Sequence, residues 1–134
     1  MFTKSILFIT VSLLALIQAI PLLRRTVYTG DGTYYTPGLG ACGLTNHATQ
    51  LVAAIGHQAF DSFPGVATAN PNLNPICGKK VTASYGKHKV TVKIVDRCAG
   101  CAGEDDLDFS LAAFSVLADP AVGRLHGVTW EYVV

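Results

Sequence analysis

Four cysteines, Cys42, Cys77, Cys98 and Cys101, limit what this chain can fold into more than any other feature. All of them follow an apolar leader. Met1–Lys4 is a short basic start, and Ser5–Ile20 carries no charge. A run this short at an N-terminus, with no second apolar span downstream, has the pattern of a secretory signal peptide and not of a membrane anchor. Ile17-Gln18-Ala19 ends it on a small residue suited to cleavage, so residues 1–19 are expected to be the signal peptide. The dibasic pair Arg24-Arg25 marks residues 20–25 as a candidate pro-segment and leaves residues 26–134 as one domain. In a small exported domain an even number of cysteines points to two disulfides. A domain of about 110 residues builds only a modest core, and cross-links restrict its unfolded state.

The Cys98-x-x-Cys101 couple raises two other chemistries. A structural zinc site needs four ligands, commonly in two close couples. Here there is one couple, two lone cysteines, and four scattered histidines, His47, His57, His88 and His126, which read as surface or loop residues. A redox dithiol of the thioredoxin kind needs a βαβ context, and the pattern along the chain is instead one of short strands. Neither metal nor cofactor is expected. Charge narrows the partners further. Three of the 10 basic residues precede Thr26; the 7 that remain face 9 acidic residues, a net of −2 with His neutral. With no basic run beyond Lys79-Lys80, no nucleic-acid partner is expected, since phosphate binding needs clustered Lys and Arg.

Hydrophobic periodicity sets the elements. "TVYTGDGTYYT" predicts a first strand bent at Gly30–Gly32. Leu51–Gly56 is a short apolar run, a strand by its length. "HQAFDSFPG" reads as one irregular turn, and "ATANPNLNPICG" as a surface loop. In "KKVTASYGKHKVTVKIVD", Val81, Ala83 and Tyr85 face one way, and Gly86-Lys87 turn the chain. Val90, Val92 and Ile94 then face the core, with Thr91, Lys93 and Val95 outward, which makes a hairpin. Ser110 is a helix N-cap candidate before Leu111, Phe114 and Leu117 at helical spacing, and Pro120 follows the end. "GVTWEYVV" closes as a final strand with Trp130 in the core. About six strands with one short helix predict a closed β domain.

Five acidic residues surround the cysteine couple: Asp96, Glu104, Asp105, Asp106 and Asp108. Glu104, Asp105 and Asp106 are expected to be solvated loop residues. Asp96 ends an apolar strand and Asp108 stands just before a helix. The first could bond loop amides and the second could cap the helix; a binding role requires the two to converge. Arg97 is a candidate partner for Asp108 or for the loop acids.

The segments "GDGTYYTPGLGACG", "NPICGKKV", "VKIVDRCAGC" and "DLDFSLAAFSVLADPAVGRLHGVTWEYV" together resemble the secreted fungal RlpA-like double-psi β-barrel proteins, single-domain relatives of the expansins that include the loosenins. The resemblance covers about residues 27–134. It implies a mainly β fold, a six-stranded double-psi β-barrel with one or two short helices. It also implies the disulfides Cys42–Cys77 and Cys98–Cys101, with Cys42–Cys101 and Cys77–Cys98 as the alternative. In expansins a strand-end aspartate and a pre-helix aspartate lie in an open polysaccharide groove; they match Asp96 and Asp108. The threonine–tyrosine strand on the groove floor matches Thr33, Tyr34 and Tyr35. Inverting endoglucanases of this barrel add a carboxylate on the first strand, where this chain reads Thr33-Tyr34-Tyr35; Asp31 falls in the glycine bend and Asp96 lies on the same side as Asp108 in the expansin pattern, so no enzyme is expected. The early-strand histidine of the bacterial lytic transglycosylases is missing too, as is the second, aromatic binding domain of expansins.

What the resemblance implies is therefore an extracellular monomer that binds cell-wall polysaccharide, cellulose or chitin, without hydrolysis. The barrel also serves as a protein-binding module, in inhibitors of papain-like cysteine proteases and in barwin-like and kiwellin-type defence proteins. Fold alone does not choose among these. A long open groove with exposed tyrosine favours glycan. A protruding apolar loop, for instance Phe60–Val66, favours a protein such as a protease.

Overall fold

Strand β1, Tyr28–Tyr35, opens the barrel. A computed structural model describes residues 24–134; the expected signal peptide and residues 20–23 of the candidate pro-segment lie outside them. The following strands are β2 (Val52–Gly56), β3 (Lys80–Tyr85), β4 (His88–Cys98), β5 (Leu107–Ser110) and β6 (Leu125–Tyr132). Two short helices, α1 (His57–Asp61) and α2 (Leu111–Leu117), pack outside them. The six strands close in the order β1-β5-β2-β4-β3-β6. The pairs β1/β5 and β2/β4 are parallel and the rest antiparallel. The described residues thus form a mainly β, six-stranded double-psi β-barrel with two short helices.

Alternation places the core. Val81 and Ala83 of β3, Val90, Val92 and Ile94 of β4, and Val128 and Trp130 of β6 point into the barrel, where they meet Phe109 of β5 and Ile55 of β2. Central strand β2 is buried along its whole length, which its run of small and aliphatic side chains permits. Outside the barrel, α2 covers one flank with Ala113, Phe114 and Leu117. Its N-cap is Ser110, whose Oγ accepts from the Ala113 amide and donates to the Gln50 carbonyl, so one hydroxyl ties the helix to the chain entering β2. Cys42 bonds Cys77 and Cys98 bonds Cys101, and no described cysteine is left as a thiol for metal or redox work.

Several local expectations are corrected. "HQAFD" is helical, not an irregular turn, because Phe60 inserts fully into the core and Ser62 closes the turn onto the Gln58 carbonyl. Asp108 lies inside a strand, β5, that the short stretch between loop and helix did not announce. Leu111 is exposed, and Ala113 takes its place on the buried helix face. Val95 is buried, not outward. The β2/β4 ladder skips it, pairing Ala53 with Ile94 and then Ala54 with Asp96. A bulge of this kind reverses the alternation that follows it.

Candidate functional site

Strand register builds the site. Thr33 on β1 stands opposite Asp108 on β5, Asp108 opposite Ala54 on β2, and Ala54 opposite Asp96 on β4. Directly opposed residues present their side chains on one face. The four therefore form a row across four strands on the outside of the barrel, flooring a cleft of about 380 Å³. Ala54 separates the two acids, and its small side chain keeps the floor open between them. The bulge at Val95 matters here, since unbroken alternation from Ile94 would have turned Asp96 into the core.

Asp96 is held by three donors. Its Oδ1 accepts from the backbone amides of Ala41 and Arg97, both at 2.8 Å, and its Oδ2 accepts from the Tyr35 hydroxyl at 3.3 Å. The Ala41 contact needs the 37–44 loop to lie flat on β4. Gly40 allows it, because a Cβ there would stand 2.7 Å from the Val95 carbonyl oxygen. Tyr35 is itself half-buried, and burial, then the charge of Asp96, raises its phenol far above the usual range. It serves as a proton donor to the carboxylate. Asp108 is set differently. Thr33 Oγ1 donates to its Oδ1 at 2.8 Å. Burial raises its carboxyl above the ordinary aspartate range; the Thr33 bond and the charge of Arg124 pull the other way, and Asp96 adds a smaller upward push. Asp108 does not cap α2; Ser110 does.

Of the residues expected to meet, Thr33, Tyr35, Asp96 and Asp108 come together. Tyr34 borders the cleft, but as the alternate residue of β1 it turns its ring onto Phe114 of α2, with ring centroids 4.8 Å apart. Arg97 pairs with neither Asp108 nor the loop acids. Its guanidinium makes a two-pronged bond to Asp61 at the end of α1, Nε to Oδ1 at 2.8 Å and Nη2 to Oδ2 at 2.7 Å. That partner was hidden because "HQAFD" did not read as a helix able to aim Asp61 at β4. At the other end of the cleft stands Arg124, which had no signal in the sequence. It bonds Asp31 at 3.1 Å, and His126 Nδ1 lies 3.0 Å from the same carboxylate. His126, with the Arg124 contact adding to it, holds Asp31 below the ordinary carboxylate range. Cys98–Cys101 with Ala99 and Gly100 forms the remaining wall.

Asp106 is the clearest departure among the loop acids. It is buried, not solvated. Its two oxygens accept from the amides of Asp31 and Gly103, both at 2.8 Å, fastening the 102–106 loop to the bend in β1. Gly103 is required beside it, since a Cβ there would stand 2.5 Å from Asp106 Oδ1. Asp105 is half-buried; burial, then Glu104, then Asp106 raise its carboxyl.

Chemically, the cleft offers hydrogen-bonding groups on a firm floor and one carboxyl, Asp108, with a raised tendency to hold its proton. The carboxylates that could activate water beside it are engaged: Asp96 by three donors, Asp31 by an arginine and a histidine. Inverting hydrolysis needs an acid and a free base with water between them.

No family model matches the sequence. It is 36% identical over 117 residues to an Asp f 7 allergen homolog of Arthroderma benhamiae, 78% of this chain and 38% of that protein. It is 29% identical over 128 residues to expansin-like protein 1 of Dictyostelium discoideum, 87% of this chain and 41% of that one. The chain thus spans about two fifths of these relatives' lengths. Among solved structures, a Streptomyces papain inhibitor superposes with a TM-score of 0.72 at 37% identity, covering 81% of this chain and 96% of the inhibitor. An expansin of Clavibacter michiganensis, solved with cellohexaose, superposes at 0.64 with 23% identity, covering 81% of this chain and 51% of the expansin. The closed six-stranded barrel is a double-psi β-barrel, and the homologues of this chain are Asp f 7-like fungal proteins and expansin-like proteins.

Proposed function

We propose that this chain is an extracellular, non-hydrolytic protein that binds cell-wall polysaccharide, cellulose or chitin, in the Thr33–Asp108–Ala54–Asp96 cleft and loosens its packing. The observation that carries this is the row itself: a hydroxyl, two carboxyls and a small floor residue aligned across four strands and open to solvent. A polysaccharide chain presents hydroxyls at a regular repeat, and a linear row of fixed donors and acceptors suits it. An expansin of the same fold has been solved with cellohexaose, which supports a glycan as occupant. The lack of a free base beside Asp108 supports binding without cleavage. In this reading the protein is exported after removal of residues 1–19 and works as a monomer.

A second reading, a protein-binding module such as a cysteine-protease inhibitor, has its own support. The likeness to the papain inhibitor spans 96% of that protein. The loop expected to protrude, Phe60–Val66, does not suit the role, since Phe60 is buried and Phe63 packs on Tyr132. Leu39, Leu44 and Leu73 are well exposed instead, on two loops joined by Cys42–Cys77.

Sedimentation of the purified chain with cellulose and chitin, alongside papain inhibition and reducing-sugar assays, tests both. We expect retention on one polysaccharide, weakened several-fold in Asp108→Asn and Thr33→Val, with no sugar release. Retention unchanged in both variants would remove the cleft as the site. Sugar release abolished by Asp108→Asn would make the protein an enzyme. Papain inhibition without retention would favour the second reading.

A further inference from the structure

The sequence shows no basic run beyond Lys79-Lys80, yet the fold concentrates its positive charge. All five lysines after Thr26, namely Lys79, Lys80, Lys87, Lys89 and Lys93, lie on the β3–β4 hairpin or at its start, and no acidic residue occurs between Asp61 and Asp96. Register then places three of them on one surface. Val81, Ala83, Val90 and Val92 point inward, so Lys80, Thr82 and Ser84 of β3 face outward with their partners Lys93, Thr91 and Lys89 of β4. Thr129 and Glu131 of β6 extend the same face, opposite Ser84 and Thr82. This surface carries a shallow hollow of about 200 Å³ bordered by Thr82, Ser84, Lys89 and Thr129. The groove row lies elsewhere on the wall, across β1, β5, β2 and the far end of β4.

Two facts point to an anionic occupant. Lys80 and Lys93 are directly opposed, an arrangement that repels unless something negative lies over it. Among the described residues no lysine is within 4.0 Å of a carboxylate, Glu131, the one acid on this face, included. The face between the lysines is made of hydroxyls. Trp130 and Val27 also border the hollow, but Trp130 is only 2% exposed and offers no face on which bases could stack, and Val27 is a single exposed aliphatic side chain.

We propose that this face is a second binding surface, specific for a carboxylated polysaccharide: the lysines pair with uronate groups, and the hydroxyls of Ser84, Thr82, Thr91 and Thr129 bond the sugar hydroxyls between them. It is independent of the groove and takes the charged polymer of a mixed wall where the groove takes the neutral one.

The test is affinity electrophoresis of the whole protein in gels containing polygalacturonate, with gels containing neutral hydroxyethylcellulose, single-stranded DNA, or phosphatidylglycerol vesicles as the other arms. We expect retardation by polygalacturonate that weakens about tenfold between about 50 and 200 mM salt, as counter-ions compete. The triple variant Lys80→Gln/Lys89→Gln/Lys93→Gln should lose it while keeping the wild-type melting temperature. Asp108→Asn should leave it intact, so failure of the groove and failure of this surface are read separately. No retardation by polygalacturonate, retardation that survives in the triple variant, or stronger retention by DNA or vesicles would each overturn the proposal.

Discussion

Replacing Asp106 by alanine tests whether an acid in a polar loop can be a structural element. The wild-type carboxylate accepts from the amides of Asp31 and Gly103 at 2.8 Å each, in a residue that is 8% exposed. A hydrogen bond to a charged acceptor contributes about 1.5–3 kcal/mol, and an orphaned buried amide costs a similar amount. Two such bonds set an upper figure of about 5 kcal/mol; water reaching the vacated loop edge recovers part of it, leaving about 3 kcal/mol. For a domain of this size that lowers the melting temperature by about 10–15 °C. Asparagine retains one good acceptor, and its amide group faces a second N–H, so Asp106→Asn should regain only part of the loss. Glu104→Gln, on the exposed side of the same loop, should stay within about 0.5 kcal/mol of wild type. Urea unfolding with the disulfides intact measures all three. A loss below about 1 kcal/mol for Asp106→Ala, or equal losses for Asp106→Ala and Glu104→Gln, would refute the assignment.

Replacing both cysteines of a pair by serine should cost about 4 kcal/mol for Cys42–Cys77 and about 2 kcal/mol for Cys98–Cys101, because the closed loops span 35 and 3 residues of separation; denaturant midpoints in the reverse order would contradict this. Asp108 has a raised folded carboxyl, so the folded state holds its proton where the unfolded chain has lost it. The stabilisation is present below the unfolded value of about 3.9 and is lost as pH rises through the folded one. Urea melts should show wild type losing stability relative to Asp108→Asn from about pH 4 upward. Asp61 runs the other way: its bond to Arg97 lowers it, so that contribution is lost on acidification below its unfolded value and absent in Arg97→Gln, which the same melts at low pH would detect.

Much of this architecture was readable from side-chain period. The β3–β4 hairpin, the final strand with its buried tryptophan and the Ser110 cap follow from alternation, turn glycines and capping chemistry that act over a few residues. What escaped depends on long-range partners. Asp106 has the composition of a solvated loop and becomes structural only because the β1 bend delivers an amide to it. Val95 breaks the alternation of β4 because β2 pairs around it. β5 is four residues long and owes its strand character to β1 and β2 on either side. In the cleft, the resemblance supplied Thr33, Tyr35, Asp96 and Asp108, whereas Arg124 and the Arg97–Asp61 bond arise from elements distant in the chain. The lysine face was hidden for a related reason: spaced along two strands, its charges form no run.

The order of the strands around the barrel also governs when the cleft comes into being. Among the described strands β1 is hydrogen-bonded to β5 and β6 alone, the last two of them in sequence. The contacts that define the site bridge 75 residues from Thr33 to Asp108 and 61 from Tyr35 to Asp96. Closing such distances is slow, and the entropy is lost before the contacts reward it. Among the described strands β1 therefore has no partner until β5, Leu107–Ser110, has been made. No partly folded intermediate that lacks the C-terminal strands can own a finished groove. A ligand that fits this row is bound only by fully closed molecules and draws the folding equilibrium toward closure as it binds.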